Sequence, residues 1–181
     1  MRKVVLTFGL IAGAILSAMM AITLPFHDQI GFDRALVVGY TSMVLAFLMV
    51  FFGARSYRDN VAGGSVSFWR AFQVGFLIAL VGMVCYVAMW EVMYHNFYPD
   101  YLDKYTAYAI GKLQQSGASA AEIAAETQKM AQMKAMYQNP LLNVLMTMLE
   151  PLPVGLVASL ISAGILSRKR RLTDGALAGA R

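Results

Sequence analysis

Residues 71–93 read Ala71-Phe72-Gln73-Val74-Gly75-Phe76-Leu77-Ile78-Ala79-Leu80-Val81-Gly82-Met83-Val84-Cys85-Tyr86-Val87-Ala88-Met89-Trp90-Glu91-Val92-Met93, with no charged side chain between Arg70 and Glu91. A bilayer crossing needs about 20 mostly apolar residues at a rise of 1.5 Å each. This stretch therefore predicts a membrane-spanning helix. Three more apolar runs of spanning length lie at 4–24, 35–54 and 141–167, separated by short charged stretches. The expected fold is an all-α membrane protein of four transmembrane helices.

Composition agrees. The chain is 59% hydrophobic and only 14% charged, against about 25% charged in a soluble domain. Four spans occupy most of the 181 residues and leave no room for a separate soluble domain. The first run follows Arg2 and Lys3 like a signal peptide, but it exceeds the usual apolar core of about 7–15 residues, so it is expected to stay as a span. Cys85 is the only cysteine, which excludes an intramolecular disulfide and any site needing two cysteines.

The formal charge of +5 sits where a topology signal would, not where a nucleic-acid face would. Ten basic residues (Arg2, Lys3, Arg55, Arg58, Arg70, Arg168, Lys169, Arg170, Arg171 and Arg181) fall on one side of the spans. Five (Arg34, Lys104, Lys112, Lys129 and Lys134) fall on the other, among six acids. The positive-inside rule then makes both termini cytoplasmic and turns the loop between spans three and four outward. Residues 1–171 form the expected membrane domain, with the basic run 168–171 as an anchor also suited to anionic lipid. Residues 172–181 read as a disordered cytoplasmic tail.

Small residues recur every four positions in the first run (Gly9, Gly13, Ser17, Ala21) and in the last (Gly155, Ser159, Ala163, Ser167). Residues four apart share a helix face, and small side chains let membrane helices approach closely. Close contacts are expected along both faces, one arrangement being with each other.

The outward loop predicts an extracytoplasmic helical hairpin at about 97–139. Pro99 suits a helix start, Gly117 a stop, and Ser119-Ala-Ala-Glu122 a capping box opening a second helix that Asn139-Pro140 breaks. Trp90, Tyr94, Phe97, Tyr98, Tyr101, Tyr105 and Tyr108 run from the span end into it, as in an interfacial aromatic belt.

Tyr57-Arg58-Asp59-Asn60, followed by Gly63-Gly64, Phe68, Ala71-Phe72 and Gly75, with Leu160-Ile161-Ser162-Ala163 near the end, resembles the signature of a domain-of-unknown-function family of small four-span bacterial inner-membrane proteins. The resemblance runs to about Arg171. It implies four helices in a bacterial inner membrane and implies no activity, cofactor or site residue.

Ionisable residues inside spans are costly and are functional candidates by default. Counted from the basic anchors, Glu91 and Glu150 fall at similar depth near the outer interface. His95, four residues after Glu91, shares its face, and His27 closes the first span on the same side. Glu91, His95 and Glu150, with His27 in reach, are the candidate ligands for a divalent metal. The same carboxylates could instead share a proton, or simply sit solvated among headgroups. Asn143, Thr147 and Glu150 form a polar stripe toward the bundle interior. Pro151 and Pro153 mark either an ion-lining helix break or the entry of the last span. Met130, Met133 and Met136 form a thioether face suited to Cu(I) or to ordinary packing.

No catalytic arrangement is present, and no cofactor is implied. The leading functional expectation is a non-enzymatic interaction or structural component of the cell envelope. It would contact lipid and a membrane-protein partner or a second copy of itself, and no nucleic acid. The alternative is a small transporter or metal- or proton-binding protein built on Glu91, His95 and Glu150.

Overall fold

The computed structural model describes residues 1–168, so Lys169, Arg170, Arg171 and the tail at 172–181 lie outside the described residues. Within them the chain is helical, with no strand. Helix α1 spans Arg2–Thr23 and continues through the 3-10 turn Leu24–Phe26 into the one-turn α2, His27–Ile30. Gly31, at φ 80°, takes a left-handed turn that a Cβ would strain and reverses the chain into α3, Phe32–Asn60. Gly63 and Gly64 do the same at the next reversal, at φ 69° and 88°, before α4, Phe68–Asn96. The α3 and α4 helices have 29 residues each, roughly 43 Å of rise. That exceeds a hydrocarbon core of about 30 Å, so their ends emerge from it.

The hairpin follows as α5, Tyr101–Gln115, and α6, Ala120–Tyr137. Gly117 N–H donates to the Gln114 carbonyl and Ala118 N–H to that of Leu113, with Gly117 at φ 77°, so α5 ends in a Schellman motif. The capping box is present in both directions: Ser119 Oγ accepts from Glu122 N–H while Glu122 Oε2 accepts from Ser119 N–H at 2.7 Å. Helix α5 begins at Tyr101, two residues beyond Pro99.

The last apolar run is not one straight span. It forms α7, Pro140–Leu149, and α8, Leu152–Leu166, bent by 41°. Pro151 has no N–H to offer the carbonyl of Thr147, which takes a long bond from Glu150 N–H at 3.4 Å instead. Pro153 falls in the first turn of α8, where its missing N–H costs nothing. Among the described residues three helices are thus long and apolar enough to cross a membrane, and four if the bent pair is one span.

Helices α3 and α4 form the inner pair, with α1 packed on one side and α8 on the other. Phe47, Val50, Ile78 and Met83 fill the space between them, joined by Leu16 from α1 and Leu166 from α8. The outward faces are apolar too: Leu10, Val44, Leu45, Leu48, Val84, Leu160 and Ile161 are all exposed. Such a surface needs lipid as its solvent. Hydroxyls within the helices are satisfied locally, as where Ser42 Oγ donates to Val38 O at 2.7 Å and Ser159 Oγ to Gly155 O at 2.7 Å.

The two small-residue faces meet α4 and not each other. A Cβ added to Gly9 would lie 2.6 Å from Val81 Cβ, and one on Gly13 would lie 2.5 Å from Cys85 Cβ. On the other side, Gly155 leaves room for Met83 and Ala79, and Gly75 of α4 lies against Ser159 of α8.

Gly13→Ala is expected to lower stability by about 1–3 kcal/mol, because Cys85 Cβ cannot swing away. Gly39→Ala, where an added Cβ meets nothing within 4 Å, is expected to be neutral or stabilising by up to about 1 kcal/mol. Thermal unfolding of both variants in detergent checks the pair.

Candidate functional site

Polar side chains gather where α1 ends, α3 begins and α7 meets α8. The bend leaves Glu150 at the C-cap of α7, aimed at α4, where Tyr86 Oη donates to its Oε2 at 2.8 Å. Glu91 lies on a different face of α4. Five residues separate it from Tyr86, which is roughly 140° of rotation and about 7.5 Å of rise. Glu91 Oε2 lies 3.3 Å from His95 Nδ1, which is also 3.0 Å from the Glu91 carbonyl oxygen. Glu91 Oε1 is buried without a partner.

The expected ligand set is therefore divided. Glu91 and His95 are together, Glu150 pairs with Tyr86, and no group of three His, Cys, Asp or Glu side chains able to hold a metal occurs among the described residues. Similar depth alone does not bring Glu91 and Glu150 together: the last run bends by 41° at Pro151, and Glu91 lies on another face of α4 from Tyr86.

A cavity of about 200 Å³ opens beside Glu150. Leu16, Met19, Met20 and Leu24 of the first helix and Ala35, Leu36 and Met43 of α3 give it apolar walls. Tyr86 and Trp90 of α4, Tyr101 and Tyr105 of α5, and Tyr137 of α6 give it an aromatic end. Its other polar groups are His27, Thr23, Ser42 and Thr147, and no lysine or arginine among the described residues lines it. Burial pushes the Tyr101 and Tyr137 hydroxyls up from their ordinary pKa, so both are neutral donors at physiological pH.

The hairpin supplies three of those aromatic walls and is fastened where it does so. Phe32, the first residue of α3, lies 5.9, 5.3 and 5.0 Å from the rings of Tyr101, Tyr105 and Tyr108, and 4.6 Å from His27. These tyrosines recur at helical spacing and present one face. Lys112 Nζ donates to both Asp33 oxygens at 2.9 and 2.8 Å, and that hydrogen bond raises the Lys112 pKa. The sequence marked the tyrosines as a membrane belt. Phe32 was missed as their partner, because one phenylalanine after a glycine carries no signal of its own.

Asn143 and Thr147 of the polar stripe face inward and are buried, whereas Glu150 is exposed where it lines the cavity. Asn143 is fully buried, and its Oδ1 accepts from Trp90 Nε1 and from Thr147 Oγ1, each at 3.2 Å. Its Nδ2 has no partner. The thioether face is graded instead of shared: Met130 is buried, Met133 half-buried and Met136 exposed.

The family described as "Protein of unknown function (DUF4199)" matches residues 7–168. That match takes in the first helix from residue 7 onward, the rest of the bundle and the whole hairpin. No curated protein and no solved structure matches the chain.

Asn143→Leu removes the acceptor of a buried indole N–H. It is expected to cost about 1–3 kcal/mol and to shift the emission of Trp90 to the blue. A Trp69→Phe background leaves Trp90 as the only tryptophan, so one fluorescence-monitored unfolding series reads both effects.

Proposed function

We propose, for a chain that belongs to the DUF4199 family of proteins of unknown function, a non-enzymatic role as a membrane-embedded binding protein of the bacterial inner membrane. Both termini lie in the cytoplasm, and the hairpin α5–α6 lies outside. The segregation of basic residues to the opposite end supports that orientation. The hairpin then serves as the contact surface for an envelope partner or a second copy.

One observation carries the binding role: the Glu150 carboxylate lines an apolar cavity ringed, among the described residues, by six aromatic side chains (Phe32, Tyr86, Trp90, Tyr101, Tyr105 and Tyr137) and by no lysine or arginine. A carboxylate in such a place is costly without a positive partner. Aromatic faces attract cations, most strongly where water is excluded. The chemistry that completes the site is a small organic ammonium ion with an apolar tail, its charge against Glu150 and its tail along Met19 and Leu36. Because Tyr101, Tyr105 and Tyr137 belong to the hairpin, ligand in the cavity would bear directly on the contact surface.

The break at Glu150 and Pro151 also favours a second reading, a small transporter in which Glu150 alternates between a proton and the cation. Broken helices line ion sites in transporters of several folds. That reading expects Glu150→Gln to abolish flux while leaving expression intact.

In nanodiscs, hexyltrimethylammonium is expected to change Trp90 fluorescence saturably, and its uncharged counterpart hexanol is not. Glu150→Gln should weaken the response at least tenfold, and Tyr101→Ala should weaken it as well. Equal responses to the two probes, or an unaltered response in Glu150→Gln, would sink the proposal.

A further inference from the structure

The other end of the bundle holds a second pocket, of about 530 Å³, where α3 ends, α4 begins and α8 ends. Arg55, Arg58 and Arg168 line it together with the hydroxyl-bearing Ser65 and Ser67. Among the described residues Asp59 is its only acidic one. Arg58 Nε donates to Asp59 Oδ1 at 2.7 Å, and Arg55 Nε lies 3.5 Å from Oδ2. One carboxylate against three guanidinium groups leaves an excess of two positive charges. It also holds the Arg58 plane still while leaving that group's terminal N–H donors for another acceptor.

Two further features give this pocket its character. It adjoins the first turn of α4, where Ser67 Oγ caps the Arg70 N–H at 3.4 Å and the earlier N–H groups have no partners within the helix; the turn contains no acidic residue, so the helix dipole adds to the positive field. Trp69, in the same turn, is 74% exposed and lies edge-on to Phe68 and Phe72. Tryptophan at the end of a span sits at headgroup level, which sets the mouth of the pocket among lipid headgroups. Arg70 takes no part, since its Nε donates to Tyr57 Oη at 3.1 Å and its Nη1 to Gln73 at 3.1 Å.

We propose that this pocket binds a phosphate group, held by Arg55, Arg58 and Arg168. The planar guanidinium fork matches phosphate oxygens in pairs. The headgroup of an anionic phospholipid and a free phosphate ion present that same chemistry. The site is independent of the Glu150 cavity and does not rest on its ligand.

The test uses full-length protein, delipidated in a nonionic detergent and examined by native mass spectrometry. The probes are phosphatidylglycerol, phosphate-free diacylglycerol and inorganic phosphate. Phosphatidylglycerol is expected to be retained and diacylglycerol not. Arg168→Gln should weaken retention about fivefold and Arg55→Gln similarly, while Arg2→Gln, at the same end but outside the pocket, should not. Failure of millimolar inorganic phosphate to displace the lipid identifies a headgroup as the source, and displacement identifies soluble phosphate; either supports the site. Equal retention of diacylglycerol, or unchanged binding in both pocket variants, overturns it. Circular dichroism of each variant keeps a folding failure from passing as lost binding.

Discussion

In lipid there is no hydrophobic drive to bring apolar helices together, so α1, α3 and α8 stay on α4 through the fit of their surfaces. Gly9 and Gly13 let α1 come close enough that an added Cβ would overlap α4 side chains. Gly75 and Gly155 do the same on the α8 side. The glycines make that contact possible, but α4 decides which helices share it. Its two sides are both used, and this sets α1 and α8 apart from each other across the inner pair.

With the bundle fixed in this way, the bend between α7 and α8 has a consequence at one end only. Helix α8 packs against α4 along its length, whereas α7 leans so that Glu150 turns onto Tyr86. A backbone group left without its helical partner is expensive in hydrocarbon. Here the cost falls beside Pro151, next to a cavity with polar groups of its own. The two ends of the molecule are opposite in character: a carboxylate amid tyrosines at one, arginines around a helix start at the other.

Much of this was legible in the residues. Apolar run length predicted the helices, because a backbone surrounded by lipid has almost no other choice. Gly117 and Ser119-Ala-Ala-Glu122 predicted the hairpin turn, because each works through its immediate neighbours. The Glu91, His95 and Glu150 group was not legible. Its assembly depended on the rotation of one helix about another and on how far two prolines would bend the last run. Neither quantity is local, and the roughly 140° of rotation between Tyr86 and Glu91 decides which of them faces Glu150. Equal spacing along a helix also does not guarantee equal surroundings across it: Met130 is buried, Met133 half-buried and Met136 exposed.

The central position of α4 also bears on how the protein is made. Ser17 of α1 reaches the Cys85 carbonyl of α4 across 68 residues of sequence. At a synthesis rate of about 5–20 residues per second, the first helix waits for its partner for some seconds after it emerges. During that time its glycine face has no α4 to pack against. Helix α3 can hold α1 in the interval, since the two also touch, but the closest fit comes only with the third long helix. Assembly is thus ordered by translation: an early pair forms first, its keystone arrives next, and the bent last segment closes the outer side.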